Sequence, residues 1–401
     1  MSFQIALSGL NAASTDLEIT SNNVANANTY GFKSSRGEFA DVFSGDSVGI
    51  GNGVRLTDVR QTFTQGNVET TGRQLDLAIS GNGFFITSDN GSLLYSRVGA
   101  FGLDKDGNVE NAEGERLQIY QEAATPGTFN QGDLRDLQVE AKQSAPVPST
   151  RVDMNINLPA NATPPGPAFD PGNPASYNHN TSTVLSDSLG VAHTATYYFV
   201  ANATGGWNGH MAFDNNPVGA AQPFDFGPTG SLSTPVGGSL TFGTVPSVDL
   251  NGANPLTVTL ELGQTTQYGS DFTVNNIQPD GQAQGRLRGI EIDQSGIVFA
   301  RFSNGLSETL GKIALANFSN PEGLQKISDT SYQETFNSGV AQRGEATESN
   351  FGLLQSGGLE SSNVDLTDQL VKLITAQRLF QANAQVITTQ DTITQTIINI
   401  R

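Results

Sequence analysis

Two apolar series with a seven-residue step, one at each end of the chain, limit what this sequence can fold into. Near the C-terminus Leu366, Leu373, Phe380 and Ile387 form one series, and Leu379, Val386, Ile393 and Ile400 form a second. Neither Pro nor Gly interrupts residues 365–401, and Asp365 with Asp368 supplies an N-cap and a first-turn acid. The spacing predicts one continuous helix, about 50 Å long at 1.5 Å per residue. Near the N-terminus Phe3, Leu10, Leu17 and Val24 repeat with the same step, which predicts a helix over 2–27. Paired heptad stripes predict coiled-coil contact. The N-terminal stripe is thin and the C-terminal apolar arc is wide, so packing between subunits is favoured over a hairpin within one monomer. The expected self-assembly residues are Phe3, Leu10, Leu17, Val24, Leu366, Leu373, Phe380, Ile387, Ile393 and Ile400.

Charge separates these ends from what lies between them. The chain carries a formal charge of −19 over 401 residues. Residues 1–36 are neutral, with Asp16 and Glu18 against Lys33 and Arg36; residues 365–401 are neutral too, with three acids and three bases. The acid excess therefore lies in the middle, which suits a solvated surface, while neutral ends can pack side by side. An acidic chain without clustered Lys and Arg argues against nucleic acid as a partner. No cysteine is present, so disulfides, thiolate catalysis and Cys-based zinc sites are excluded. No apolar run approaches the eighteen or so residues of a membrane span, and the N-terminus lacks the basic and apolar regions of a signal peptide. That combination predicts a cytoplasmic protein or one exported without a cleaved signal.

The middle reads as β. Leu75, Leu77 and Ile79 alternate with polar residues, and Asn90-Gly91, Asp106-Gly107, Ser295-Gly296 and Asn304-Gly305 are turn signals. Thr29-Tyr30-Gly31-Phe32-Lys33 breaks the first helix, with Gly31 expected as its C-cap. A Pro-rich boundary opens at Ala145-Pro146-Val147-Pro148, and the following residues to 284 contain no lysine. Short strands such as Thr194–Val200 and Leu256–Leu262 make that stretch a separate sandwich or barrel. The expected fold is mainly β and multidomain, with discontinuous domains. Residues 1–30 and 364–401 form a helical coiled-coil assembly domain, and 31–70 with 355–363 form a connecting arm. Residues 71–145 with 285–354 form an inner β domain, and 146–284 form an inserted outer β domain.

Motifs that could carry chemistry have simpler readings. Gly49-x-Gly51-x-Gly53 lacks the strand–helix context and the following Lys of a phosphate loop. Asp104-x-Asp106-Gly107 places its glycine two positions too early for a calcium loop and reads as a hairpin turn. His179, His193 and His210 show neither metalloprotease spacing nor a nucleophile elbow, and read as packing or surface residues. Asn161-Ala-Thr163, Asn180-Thr-Ser182 and Asn202-Ala-Thr204 match an acceptor pattern that is common by chance. No catalytic, cofactor-binding or metal-binding residue is expected, and no enzyme.

Three motifs in order carry a family resemblance. Leu7-Ser8-Gly9-Leu10-Asn11-Ala12-Ala13, Asn22-Asn23-Val24-Ala25-Asn26 and Thr29-Tyr30-Gly31-Phe32-Lys33 resemble the N-terminal signature of the bacterial flagellar rod and hook axial proteins. Ala78-Ile79-Ser80-Gly81-Asn82-Gly83-Phe84-Phe85 with Tyr95-Ser96-Arg97-Val98-Gly99 resembles their shared β motif. Gly358-Leu359-Glu360-Ser361-Ser362-Asn363-Val364-Asp365 with Gln377-Arg378 resembles their C-terminal signature. The likeness covers both ends and the flanking β segments, not 146–284. Within the family the large insertion and the short segment before Gln65-Gly66-Asn67 favour the hook branch over the distal rod. The resemblance implies a self-assembling, flexible tube acting as a universal joint that passes motor torque to the filament. It implies as partners further copies of the chain, distal rod, hook cap and hook–filament junction proteins, and the flagellar type III export apparatus. It implies a place in the extracellular flagellum, with no nucleic acid and no membrane insertion. The distal rod is the alternative within the family, and an extracellular β-rich adhesin or enzyme trimerised by its helices is the alternative of a different class.

Overall fold

The computed structural model describes residues 2–43, 51–140, 143–328, 330–348 and 350–399. The chain divides into two units, one of residues 1–140, 290–300 and 308–401, the other of residues 141–289 and 301–307.

The first unit holds both helices, α1 (Ser2–Ala25) and α2 (Leu366–Asn399). Asp365 starts α2 as expected: its Oδ1 accepts the N–H groups of Thr367 at 2.8 Å and Asp368 at 3.2 Å. The many threonines of α2 do not break it, because Thr375, Thr389, Thr392, Thr394 and Thr396 donate their hydroxyls to carbonyls four residues back. α1 ends earlier than Gly31. Turn hydrogen bonds from Asn26, Ala27 and Thr29 close it, and Gly31 is not its cap. Gly31 instead adopts φ +66° and donates its N–H to the Glu360 carbonyl at 2.7 Å. A Cβ there would meet Val98 at 2.5 Å, so close approach to the loop after Ser92–Ser96 demands the glycine.

After α1 the chain forms a two-stranded hairpin, Ser35–Asp41 with Val54–Gln61, laid along that helix. Entering and leaving segments then run side by side. Val68–Thr70 pairs with Gly358–Glu360, and Leu77–Ser80 pairs with Leu353–Ser356. They lead into an antiparallel platform in which Ser307–Asn317 neighbours Arg116–Glu122, then Phe84–Asp89, then Ser92–Ser96. Asn90 at φ +49° and Gly91 at φ +92° make the two-residue turn between the last pair, as that dipeptide predicts. Phe84, Tyr95, Phe318 and Tyr332 pack edge to face in its core, with ring centroids 4.8 Å apart for Tyr95 and Phe318.

The second unit is a sandwich. One sheet is antiparallel: His179–Ser186, Ala192–Ala201, Trp207–Phe213, Asn216–Phe226 and Leu232–Thr234. The other is mixed and centred on Arg151–Pro159, which pairs parallel to Thr259–Glu261 and Thr266–Tyr268 and antiparallel to Thr273–Pro279. Val152, Met154, Ile156 and Leu158 meet Ala195, Tyr197, Phe199 and Trp207 in one core. The strand expected over 256–262 is shorter, because Leu256 bridges Val245 and only Thr259–Glu261 joins the ladder.

Candidate assembly surface and the junction beneath it

α1 and α2 lie antiparallel. Asn23 Nδ2 donates to Gln369 Oε1 at 3.2 Å, and fourteen residues back along α1 Gly9 abuts Asn383, fourteen residues on along α2. A Cβ on Gly9 would stand 2.9 Å from the Asn383 amide, so the helices approach closely here. Ala6, Ala13 and Thr20 are buried along one stripe of α1, with Leu10, Leu17 and Val24 half-buried beside them. On α2 Gln369 and Ala376 are buried, and Leu373, Phe380, Ile387 and Asn383 are half-buried. Both stripes keep the seven-residue step, small residues alternating with large ones as knobs and holes require. The same offset brings Ser2 level with Gln390, so residues 391–399 run on past α1 and are exposed on every side.

The structure thus divides the residues expected to drive assembly. Leu10, Leu17, Val24, Leu373, Phe380 and Ile387 come together along the α1–α2 seam. Phe3 is 50% exposed, Leu366 46% and Ile393 46%, outside that seam. Ile400 lies outside the described residues. The second heptad series of α2, one residue and so about 100° round from the first, faces solvent: Leu379 is 53% exposed and Val386 49%. Leu370, Val371, Ile374, Ile397 and Ile398 add further exposed apolar surface.

Below the helices sits a buried polar junction made of residues that heptad reasoning passes over. The Lys33 Nζ donates to Glu360 Oε1 at 2.7 Å and to the Thr64 carbonyl at 2.8 Å, and neither the Lys33 nor the Glu360 side chain has any exposed surface. The same Oε1 accepts the Gly66 N–H at 2.8 Å. Glu360 Oε2 faces the Arg97 guanidinium at 3.5 Å, and Arg97 also donates to the Gly81 carbonyl at 2.9 Å. Burial pulls Lys33 below its usual value, opposed by the Glu360 carboxylate, and burial likewise lowers Arg97. Asn363 accepts the Ser34 N–H at 2.7 Å and donates to the Thr62 and Thr64 carbonyls. Asn23 accepts the Ser35 N–H at 2.9 Å and donates to the Ser35 carbonyl at 2.7 Å. The sequence signal for Asn23, Lys33, Arg97, Glu360 and Asn363 is their place inside the three family motifs.

The other weighed motifs take structural roles. His179 stacks on Phe272 and His210 on Phe169, with centroids 4.6 Å and 3.9 Å apart. His193 bridges Asp214 at 2.7 Å and Asp187 at 3.4 Å beneath a strand turn. Asp104 accepts the N–H groups of Asp106 and Asn108 within its own hairpin. Asn202 folds back on Thr204 and Gly206. Gly53 packs over Ser8 of α1, while Gly49 lies outside the described residues. Among the described residues no helix is long and apolar enough to cross a membrane, and no cluster of three His, Asp or Glu could hold a metal ion.

Four family models match in chain order. They are "Flagella basal body rod protein" over residues 3–33 and "Flagellar hook protein FlgE/F/G D1 domain" over 78–164. "Flagellar basal body protein FlaE D2 domain" follows over 157–282, then "Flagellar basal body rod FlgEFG protein C-terminal" over 355–400. The flagellar hook protein of Escherichia coli (strain K12) is 40% identical over 412 residues, covering 100% of each chain. That of Salmonella typhimurium (strain LT2) is 40% identical over 414 residues with the same coverage. That of Treponema pallidum (strain Nichols) is 32% identical over 458 residues, covering 98% of each. A crystal structure of the Helicobacter pylori flagellar hook protein FlgE2 superposes with TM-score 0.52 at 15% identity, covering 73% of this chain and 100% of that one, a likeness of fold alone.

Proposed function

This chain belongs to the bacterial flagellar hook protein family, and we propose that it builds the hook by self-assembly through its terminal helices. It is a structural subunit of the hook, an extracellular part of the flagellum. The observation that carries the assembly reading is the outward apolar face of α2. With Leu373, Phe380 and Ile387 half-buried against α1, Leu379, Val386 and Ile393 still stand in water on the same helix. Covering large side chains of this kind returns about 1.5–3 kcal/mol each when complete, and a neutral helix pair meets further copies without repulsion. Repeating that contact round an axis gives a tube lined by helices. The β units would form its outer layers, where polar, lysine-poor contacts can exchange as the tube bends and turns as a universal joint. Rod, cap and junction proteins would meet its two ends, and the type III apparatus would export it.

The test is electron microscopy and sedimentation of the purified chain as concentration rises. Long tubes appearing above a threshold concentration support the reading; a closed small oligomer at every concentration sinks it.

A further inference from the structure

A helix pair can bear torque only if it is fixed to the β platform of its own unit, and little covalent structure fixes it. The chain leaves α1 through residues 31–34 and returns to α2 through 358–364. Between these two passages lies the Lys33–Glu360–Arg97 junction. One carboxylate there receives three donors from three different parts of the unit. Lys33 comes from the exit of α1, the Gly66 N–H from the arm, and Arg97 from the bend that follows the platform strand Ser92–Ser96. Two cations share that single anion in a site closed to water, so the charge on Glu360 cannot be replaced by solvent. Arg97 is held on its other side by the Gly81 carbonyl and by the Phe84 ring, 5.3 Å from its guanidinium carbon, while its Nε has no hydrogen-bond partner. Its long 3.5 Å contact with Glu360 is a buried electrostatic tie between the platform side and the return to α2, whereas the Arg60–Glu322 pair at 3.5 Å stands in solvent.

We infer that Glu360 is a positioning residue for hook assembly, a buried carboxylate that latches the exit of α1 and the entry to α2 onto the β platform. The inference rests on assembly through the terminal helices. With the latch closed, the outward face of α2 is presented at one angle to the platform; with it open, the helices can pair but not point. Because the latch acts through orientation, its loss should spare both the platform and the inserted sandwich.

The test uses the full chain with Glu360→Gln, which keeps shape and removes charge, and Glu360→Asp, which keeps charge and shortens the reach. Hydrogen exchange is read at residues 31–36 and 361–369 and, as the internal reference, at 84–89 and 313–316. The expected result for Glu360→Gln is at least a tenfold loss of protection at the first two segments, a change under twofold at the reference strands, and at least a tenfold fall in tube yield. Glu360→Asp should lie between it and the parent, and should remain informative if the Gln variant does not fold. Unchanged protection, or lost protection with normal tubes, overturns the proposal. Equal loss of protection in the reference strands of both variants also overturns it, by making Glu360 a mere fold-holder. A parent chain that forms no tubes would instead sink the assembly reading, with the exchange data still reporting on the latch.

Discussion

Two carboxylates in different units show how the balance of burial against local donors sets opposite responses to pH. Asp280 accepts the Thr150 N–H at 2.8 Å, the Thr150 hydroxyl at 2.6 Å and the Arg151 N–H at 2.9 Å, tying the two passages into the sandwich together. Partial burial pushes its carboxyl up, but these donors outweigh it and hold the group below the usual carboxylate range. A depressed folded value means that the stabilisation is present above an unfolded pKa of about 4 and is lost as pH falls through the folded value. Asp280→Ala should cost about 1 kcal/mol at neutral pH, a figure kept small because the group is partly solvated. In denaturant titrations the gap between parent and variant should narrow as pH falls below about 4; a gap that does not change with pH contradicts this account. Glu115 runs the other way. It is buried, and although Thr87, Ser331 and Asn111 donate to it, burial wins and raises its carboxyl. A raised folded value penalises the charged form, so the parent gains stability as pH falls through that value, down to the unfolded pKa of about 4.3. Glu115→Gln has no such gain. Thermal melts should therefore show the parent improving relative to this variant from pH 7 to pH 4.5, and a difference that does not change with pH would refute the assignment.

At the scale of elements, α2 has two apolar seams with different work to do, and two substitutions one residue apart can separate them. Phe380→Asp puts a charge against α1, at a cost of about 3 kcal/mol. It should raise hydrogen exchange along α1, stop tube formation and leave the melting of the β units in place, as should Leu373→Asp. Leu379→Asp puts the charge on the outward face, so exchange along α1 should stay as in the parent while tubes are still lost. If Leu379→Asp assembles normally, the outward face is not the contact between copies. The heptad step marks both seams in the sequence, but periodicity is blind to which neighbour covers which side; only the pairing of Gly9 with Asn383 and Asn23 with Gln369 assigns the first seam to α1. Turn residues are legible for the same local reason, as Asn90-Gly91 shows. The junction is not, because Lys33 and Glu360 stand 327 residues apart and a buried ion pair leaves no periodic trace. Gly31 misleads for a related reason: its left-handed backbone fits a helix cap, yet the constraint comes from Val98, in a loop more than sixty residues away.

At the scale of the whole molecule, the second unit begins and ends with a short two-stranded ribbon. Ser144 N–H donates to the Gly285 carbonyl at 2.8 Å, and Val147 exchanges hydrogen bonds with Gln282 at 2.9 and 2.8 Å. Asn304 adds a cross-tie, donating to the Ala283 carbonyl at 2.7 Å and to the Ser144 hydroxyl at 3.1 Å. Because Ser144 and Gly285 face each other as an antiparallel bridge, a two-residue Asn-Gly turn can join them with the geometry of an ordinary hairpin. Removing residues 145–284 in that way takes out the sandwich core as a whole and cuts through neither heptad stripe nor platform. Calorimetry should show the transition of the sandwich disappear and that of the helix-bearing unit shift by no more than about 1 kcal/mol, as expected for units with separate cores. If the helices carry assembly and the sandwich supplies contacts that exchange during bending, the shortened chain should still form tubes, but with different stiffness and curvature. Micrographs of shortened and parent tubes, analysed for persistence length, check this. A shortened chain that melts normally but forms no tubes would place an indispensable subunit contact in the sandwich and move the centre of assembly away from α1 and α2.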